Sequence, residues 1–230
     1  MSGQDKSRGF LSGNALKLIA AAAMLIDHMG LIFFPENALF RILGRLAFPI
    51  YAFMIAEGCK YTRSRRRYFG NLFSLALVCQ IVYFIADGSM YLSILFTFSL
   101  SILMIYALQY CKEKPSAFSV LLFLLAIASV YGLNQVFTID YGFWGCMVPV
   151  FAALSHGTRL DRHPLNTAML ALGLLLLWLD VGDLQLYALA AIPLLLCYSG
   201  RRGKGKLKSF FYIFYPAHLA ALYLLSMLLR

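Results

Sequence analysis

The chain has 230 residues, 61% of them hydrophobic and only 13% charged, with 20 Lys and Arg against 10 Asp and Glu for a net charge of +10. A soluble domain carries roughly 25% charged residues, so a surface that faces water all round is excluded. In a soluble chain the positive balance would point to nucleic acid, but these cations fall in short gaps between apolar runs, which marks them as topology signals with no nucleic-acid partner.

A spanning helix needs about 20 apolar residues to cross the ~30 Å hydrocarbon layer. Apolar runs cover residues 15–34, 39–59, 69–86, 91–110, 116–133, 141–155, 165–179, 184–199 and 210–229. Backbone groups in lipid must pair internally, and the runs lack the alternation of barrel strands, so each predicts a helix. The expectation is an all-α polytopic bundle of about nine transmembrane helices in a single domain over 1–230. The runs 141–155 and 165–179 are short, and are expected to extend or to tuck inside the bundle.

The gaps alternate in charge. One set holds Lys6 and Arg8, then Lys60, Arg63, Arg65, Arg66 and Arg67, then Lys112 and Lys114, then Arg159 and Arg162, then Arg201, Arg202, Lys204, Lys206 and Lys208. The other set holds Glu36, Asp87, Asp140, Asp180 and Asp183 and no Lys or Arg. The positive-inside rule places the first set and the N-terminus in the cytoplasm and the C-terminus outside. The five cysteines show no CxxC spacing, so neither a disulfide framework nor a metal site is expected. The first apolar run passes signal-peptide length without an A-x-A site, so no cleavable signal is expected.

Charges inside hydrocarbon are expensive and need a partner or a task. Asp27 and His28 stand in the outer half of the first run. Neighbours on a helix point about 100° apart, so Asp27 either orients a histidine across helices or pairs with an arginine and leaves His28 to take a proton. Arg41 and Arg45 follow in the second run, four residues apart and on one face. Arg45 precedes Pro49, which removes the donor for the Arg45 carbonyl, so a kink is expected there. An Asp27–Arg45 ion pair accounts for Arg45 structurally; a fixed cation for a developing oxyanion accounts for it functionally. In the last run His218 follows Pro216. Glu57 and Gly58 end the second run and lead into Lys60, Tyr61, Thr62, Arg63, Arg65, Arg66 and Arg67, a topology signal or an anion site for a phosphate-bearing cofactor. Asp140 is expected to cap the helix that follows it.

Several blocks resemble the TraX family of integral membrane acyltransferases: Leu16-Lys17-Leu18-Ile19-Ala20 leading to Met24-Leu25-Ile26-Asp27-His28; Gly44-Arg45-Leu46-Ala47-Phe48-Pro49; Glu57-Gly58 with Thr62; Asp140-Tyr141-Gly142; and Tyr215-Pro216-Ala217-His218. They stand in the family's order along essentially the whole chain. The resemblance implies transfer of an acetyl group from cytoplasmic acetyl-CoA, a donor substrate, to an acceptor at or beyond the bacterial inner membrane. It also implies a histidine of an early helix as base, a position His28 matches. The family's namesake is associated with acetylation of the pilin amino terminus; a glycan or a small metabolite is the other acceptor class. On this reading His28 is the general base, Asp27 or a neighbour orients it, and Arg45 stabilises the oxyanion or holds Asp27. His218 is a second polar group of the same cavity. Glu57, Lys60, Thr62, Arg63, Arg65, Arg66, Arg67 and Tyr68, with Arg201 and Arg202, form the face for CoA. Besides acetyl-CoA and the acceptor, membrane lipids are the expected partners; oligomeric state is not legible.

Two other readings compete. Buried Asp, His and Arg with broken helices also occur in proton-coupled transporters, although the sequence shows no inverted repeat. A non-catalytic membrane assembly protein would hold the same charges for structure alone.

Overall fold

The computed structural model describes residues 9–205 and 207–229, so Lys6, Arg8 and Lys206 of the basic gaps lie outside the described residues. The helices are α1 Gly13–Phe33, α2 Ala38–Gly44, α3 Ala47–Tyr61, α4 Arg65–Asp87, α5 Ile94–Glu113, α6 Ala117–Val136, α7 Gly142–Ala153 and α8 His163–Val181. A 3-10 segment, Asp183–Ala191, then leads into α9 Ile192–Leu196, and α10 Lys208–Leu228 follows. Every apolar run of the sequence is helical. Among the described residues seven helices are long and apolar enough to cross a membrane, with α2 and α3 together making one of 24 residues. Two apolar stretches are shorter, Gly142–Ala153 and Asp183–Leu196. At ~1.5 Å per residue the 12 residues of α7 rise only about 18 Å, well under a hydrocarbon layer. The run 165–179 does extend, to 19 residues in α8. The protein is a multi-pass membrane helix bundle.

Helix starts follow their polar residues. Ser12 accepts the Ala15 N–H and Ser64 accepts the Arg67 N–H. Ser116 and Ser119 close a reciprocal capping box on α6. Asp140 departs from expectation. Its carboxylate accepts the Tyr91 hydroxyl at 2.6 Å, and the cap position falls to Tyr141, which takes φ 60 with no side-chain cap bond. The expected kink at Pro49 is a break: α2 ends at Gly44 and α3 begins at Ala47. Pro49 therefore lies in the first turn of α3, where a missing N–H forfeits no helical bond. Pro216 stays inside a continuous α10.

The chain divides into two compact units. The first joins Met1–Met54 to Gly182–Arg230. In it α1 packs on α2 and α10, and α2 packs on the 3-10 segment. The Gly13 and Asn14 N–H groups, which an isolated helix start would leave unpaired, donate to the Arg201 and Arg202 carbonyls at 2.8 and 2.9 Å. The Asn14 amide adds bonds to the Lys204 and Gly205 carbonyls. The loop after α9 is thereby tied to the start of α1.

The second unit is Ile55–Val181. Here α5 packs on α4, α6 and α7, and α7 packs on α8. Ile102, Met104, Ile105, Val148, Leu170, Leu174 and Leu177 fill its core. Ser101 donates to the Cys146 carbonyl at 2.7 Å and Thr97 to the Asp140 carbonyl at 2.7 Å, polar ties of the kind that join helices in lipid. The outward residues of α4 and α6, such as Val78, Ile81, Val82, Phe118, Leu121 and Leu124, are large, apolar and exposed, a surface that suits acyl chains and not water.

Candidate functional site

The first unit gathers the ionisable residues of three helices. Asp27 lies 14 residues beyond Gly13, about 21 Å along α1 at the helical rise. Its two carboxylate oxygens take different arginines: Arg41 Nη1 donates to Oδ2 at 2.8 Å and Arg45 Nη2 to Oδ1 at 2.8 Å. The shared face predicted from the i, i+4 spacing of Arg41 and Arg45 is the face that meets α1. Gly44 makes the approach possible, since a β-carbon there would collide with the Asp27 carboxylate. Arg45 is buried, and its Nε also donates to the Arg41 carbonyl at 3.3 Å.

Asp27 therefore pairs with arginine, and His28 is anchored separately. The His28 Nδ1 lies 2.8 Å from the Met24 carbonyl, one turn back on its own helix. His218 repeats the arrangement on α10, with Nδ1 2.8 Å from the Phe214 carbonyl. A carbonyl only accepts, so each Nδ1 carries the proton, and in the neutral ring Nε2 carries the lone pair. The two imidazoles meet edge to face with centroids 5.0 Å apart. Phe214 stacks on the His218 ring at 4.9 Å. The His218 Nε2 is buried and has no hydrogen-bond partner among the described residues.

One member of this cluster gave little sign in the sequence. Gln185, only 1% exposed, sits in the 3-10 segment that packs on α2. Its Oε1 accepts from Arg45 Nη1 at 3.4 Å. Its Nε2 is buried and has no hydrogen-bond partner among the described residues. An unmade buried hydrogen bond of this kind costs about 1–3 kcal/mol. The only signal was a single amide inside the apolar run 184–199.

The residues expected to face CoA belong to the second unit and are placed as follows. Glu57 is buried, with its Oε1 3.6 Å from the His156 Nε2, beyond hydrogen-bond reach. Lys60 pairs with Asp161 at 2.9 Å. Thr62 donates to the Ser64 carbonyl at 3.4 Å. Arg65 pairs with Glu113 and lies over the Tyr106 ring. Arg63, Arg66 and Arg67 are exposed. The half-buried Tyr68 lays its hydroxyl against Gly58, where a β-carbon would collide with it. Arg65, Arg66 and Arg67 form the first turn of α4, so three cations stand at a helix N-terminus whose partial charge is already positive.

The chain matches the family described as TraX protein over residues 12–226. It belongs to the TraX family. Among curated relatives it is similar to the "Probable fimbrial assembly protein FimC, serogroup H1" of Dichelobacter nodosus, at 28% identity with 94% of this chain and 96% of the relative covered. It is also similar to the uncharacterised protein RP591 of Rickettsia prowazekii, at 50% identity over 38 residues, 16% of this chain and 15% of the relative. No solved structure matches.

In this TraX family member the loop after α7 also carries a polar cluster that charge alternation alone did not reveal. Lys112 donates to the carbonyls of Ala153, Leu154 and His156 at 3.1, 2.7 and 3.0 Å, placing a cation on the C-terminal end of α7. Burial pushes the Asp161 carboxyl up, but the Gly157 N–H, Lys60 and the Asn166 amide outweigh it and hold it below the usual range. Burial pushes the His156 imidazole down to about 4, aided by Lys60 and Lys112 and opposed by Asp161. Between the ordinary histidine range near 6.5 and pH 4, the unfolded chain then binds a proton that the folded one refuses. The contribution of His156 to stability is expected to fall as pH drops through that window and to level off below it. The difference in thermal unfolding between the wild-type chain and His156→Gln, followed in detergent from pH 7 to pH 4, measures this.

Proposed function

We propose that the protein is an integral acyltransferase of the bacterial inner membrane, with its N-terminus in the cytoplasm. It moves an acetyl group from cytoplasmic acetyl-CoA to an acceptor at or beyond the membrane. The observation that carries this is the histidine pair: two rings whose Nδ1 atoms are tied to their own helices, with the lone pair left on Nε2. His28 takes the acceptor's proton, with the His218 ring set edge to face beside it. Asp27, paired with both arginines, adjoins the base without being bonded to it. With both carboxylate oxygens taken by arginine, Asp27 leaves the imidazole to the Met24 carbonyl.

The basic first turn of α4 fits the phosphates of CoA. Exposed cations coincide there with a helix N-terminus, a combination that draws anions. Arg65 is already engaged by Glu113 and Lys60 by Asp161, so Arg63, Arg66 and Arg67 supply the charge. Arg63→Glu/Arg66→Glu/Arg67→Glu is expected to weaken acetyl-CoA binding at least tenfold at low salt and less at high salt. Titration calorimetry at two ionic strengths checks it, and unchanged affinity would leave the segment a topology signal only.

The relative named for fimbrial assembly favours a pilin-type N-terminal amine as acceptor, ahead of a glycan or a small metabolite. It equally favours an assembly protein with no chemistry of its own. The purified protein incubated with labelled acetyl-CoA and peptides bearing the amino terminus of a pilin separates the two. Label on the peptide supports transfer; peptide binding without acetyl-CoA turnover supports assembly alone. Ion-dependent uptake into vesicles with no turnover would mark a transporter.

A further inference from the structure

We infer that Gln185 is a further catalytic residue, the donor that receives the thioester oxygen when it becomes an oxyanion; this rests on the acyltransferase reading above. The argument starts from which amide atom faces which neighbour. An arginine only donates, so the atom 3.4 Å from Arg45 Nη1 must be the amide oxygen, and the orientation of the side chain is fixed by chemistry. The NH2 group is thereby turned away from Arg45, and it is buried without a hydrogen-bond partner among the described residues. A buried NH2 held in one orientation with no acceptor is what an oxyanion requires: a donor in place before the charge develops.

The sequence left Arg45 two roles, oxyanion donor or holder of Asp27. The geometry commits its Nη2 to Asp27 at 2.8 Å, its Nε to the Arg41 carbonyl and its Nη1 to Gln185. Arg45 thus orients and polarises the glutamine: its positive charge draws density onto Oε1 and makes the NH2 hydrogens better donors. Contacts link Gln185 to Arg45 and Arg45 to Asp27; His28 is the next residue of α1, and its ring meets that of His218. An unpaired donor and an unpaired acceptor, Gln185 Nε2 and His218 Nε2, are the two buried side-chain atoms of this unit without hydrogen-bond partners among the described residues.

The step balances on these groups. The acceptor's nucleophilic atom attacks the acetyl carbonyl carbon and its proton passes to His28 Nε2. The carbonyl π pair moves onto oxygen, which Gln185 Nε2 binds. Collapse re-forms the carbonyl and breaks the carbon–sulfur bond. The departing CoA thiolate takes the proton from His28, giving free thiol and acetylated acceptor.

Gln185→Glu separates donation from packing, because a carboxylate can still accept from Arg45 but has no N–H to give. The wild-type chain and this variant are compared in nanodiscs by CoA thiol release with a peptide amine as acceptor, alongside Gln185→Leu. The expected result for Gln185→Glu is a 10²–10³-fold lower kcat, with acetyl-CoA affinity and thermal unfolding held near wild type. A fall in affinity with kcat unchanged overturns the assignment and makes Gln185 a binding or packing residue. Full turnover by Gln185→Glu overturns it while the acyltransferase reading stands. Absence of turnover in the wild-type chain, with acetyl-CoA and acceptor both bound, overturns the acyltransferase reading and this assignment with it.

Discussion

Replacing His28 by Ala is expected to lower acetyl transfer about 10²–10⁴-fold, the contribution of a positioned general base, while the protein still folds. The ring is only half-buried and makes one hydrogen bond of its own, from Nδ1 to the Met24 carbonyl. His28→Asn is the sharper variant. The amide nitrogen of Asn lies near the place of Nδ1 and can keep the bond to Met24, but nothing stands where Nε2 did. If the ring serves as a base, His28→Asn and His28→Ala should be equally inactive. If the ring serves only to brace α1 against α10, His28→Asn should recover part of the wild-type rate. His218→Ala should cost less, since its ring touches that of His28 at 5.0 Å and acts beside the base. CoA release under saturating acetyl-CoA measures all three, and a His28→Ala protein that still turns over would remove the base from the mechanism.

The bundle was legible because a membrane allows few alternatives. Once 20-residue apolar runs are present, lipid leaves helix as the only open choice, and each run is helical. Lengths were less legible. Pro149 stands inside α7, which stops at 12 residues, and Pro193 opens α9 after a 3-10 stretch; apolar composition does not say where such a helix stops. The i, i+4 spacing of Arg41 and Arg45 placed both on one face, because helical geometry alone decides that. Which partner they took was open until packing chose Asp27 for both. The contact between His28 and His218 joins residues 190 positions apart, and a single sequence carries no term for such pairing. Gln185 and His156 were hidden for the same reason. Neither belongs to a motif, and only burial without a hydrogen-bond partner among the described residues sets it apart.

Loss of the Asp27 charge is expected to be among the most damaging single changes to stability. Asp27→Asn keeps the shape of the side chain and leaves Arg41 and Arg45 facing each other with no anion between them. Arg45 is 9% exposed at its side chain and cannot turn to water without abandoning Gln185 and the Arg41 carbonyl. Removing one partner of a buried ion pair costs about 3–5 kcal/mol, mostly for the charge left behind. Here two cations are left behind, although Arg41, at 26%, is exposed enough to recover part of its hydration. The argument predicts an asymmetry. Arg41→Gln should cost much less than Asp27→Asn, since it leaves a one-to-one pair. Adding Arg41→Gln and Arg45→Met to Asp27→Asn should restore most of the lost stability, because no buried charge then remains unpaired. Thermal unfolding of the four proteins in one detergent reads the series. A triple variant no more stable than Asp27→Asn would mean that the triad holds α1 and α2 together by its bonds, and that the cost does not come from stranded charge.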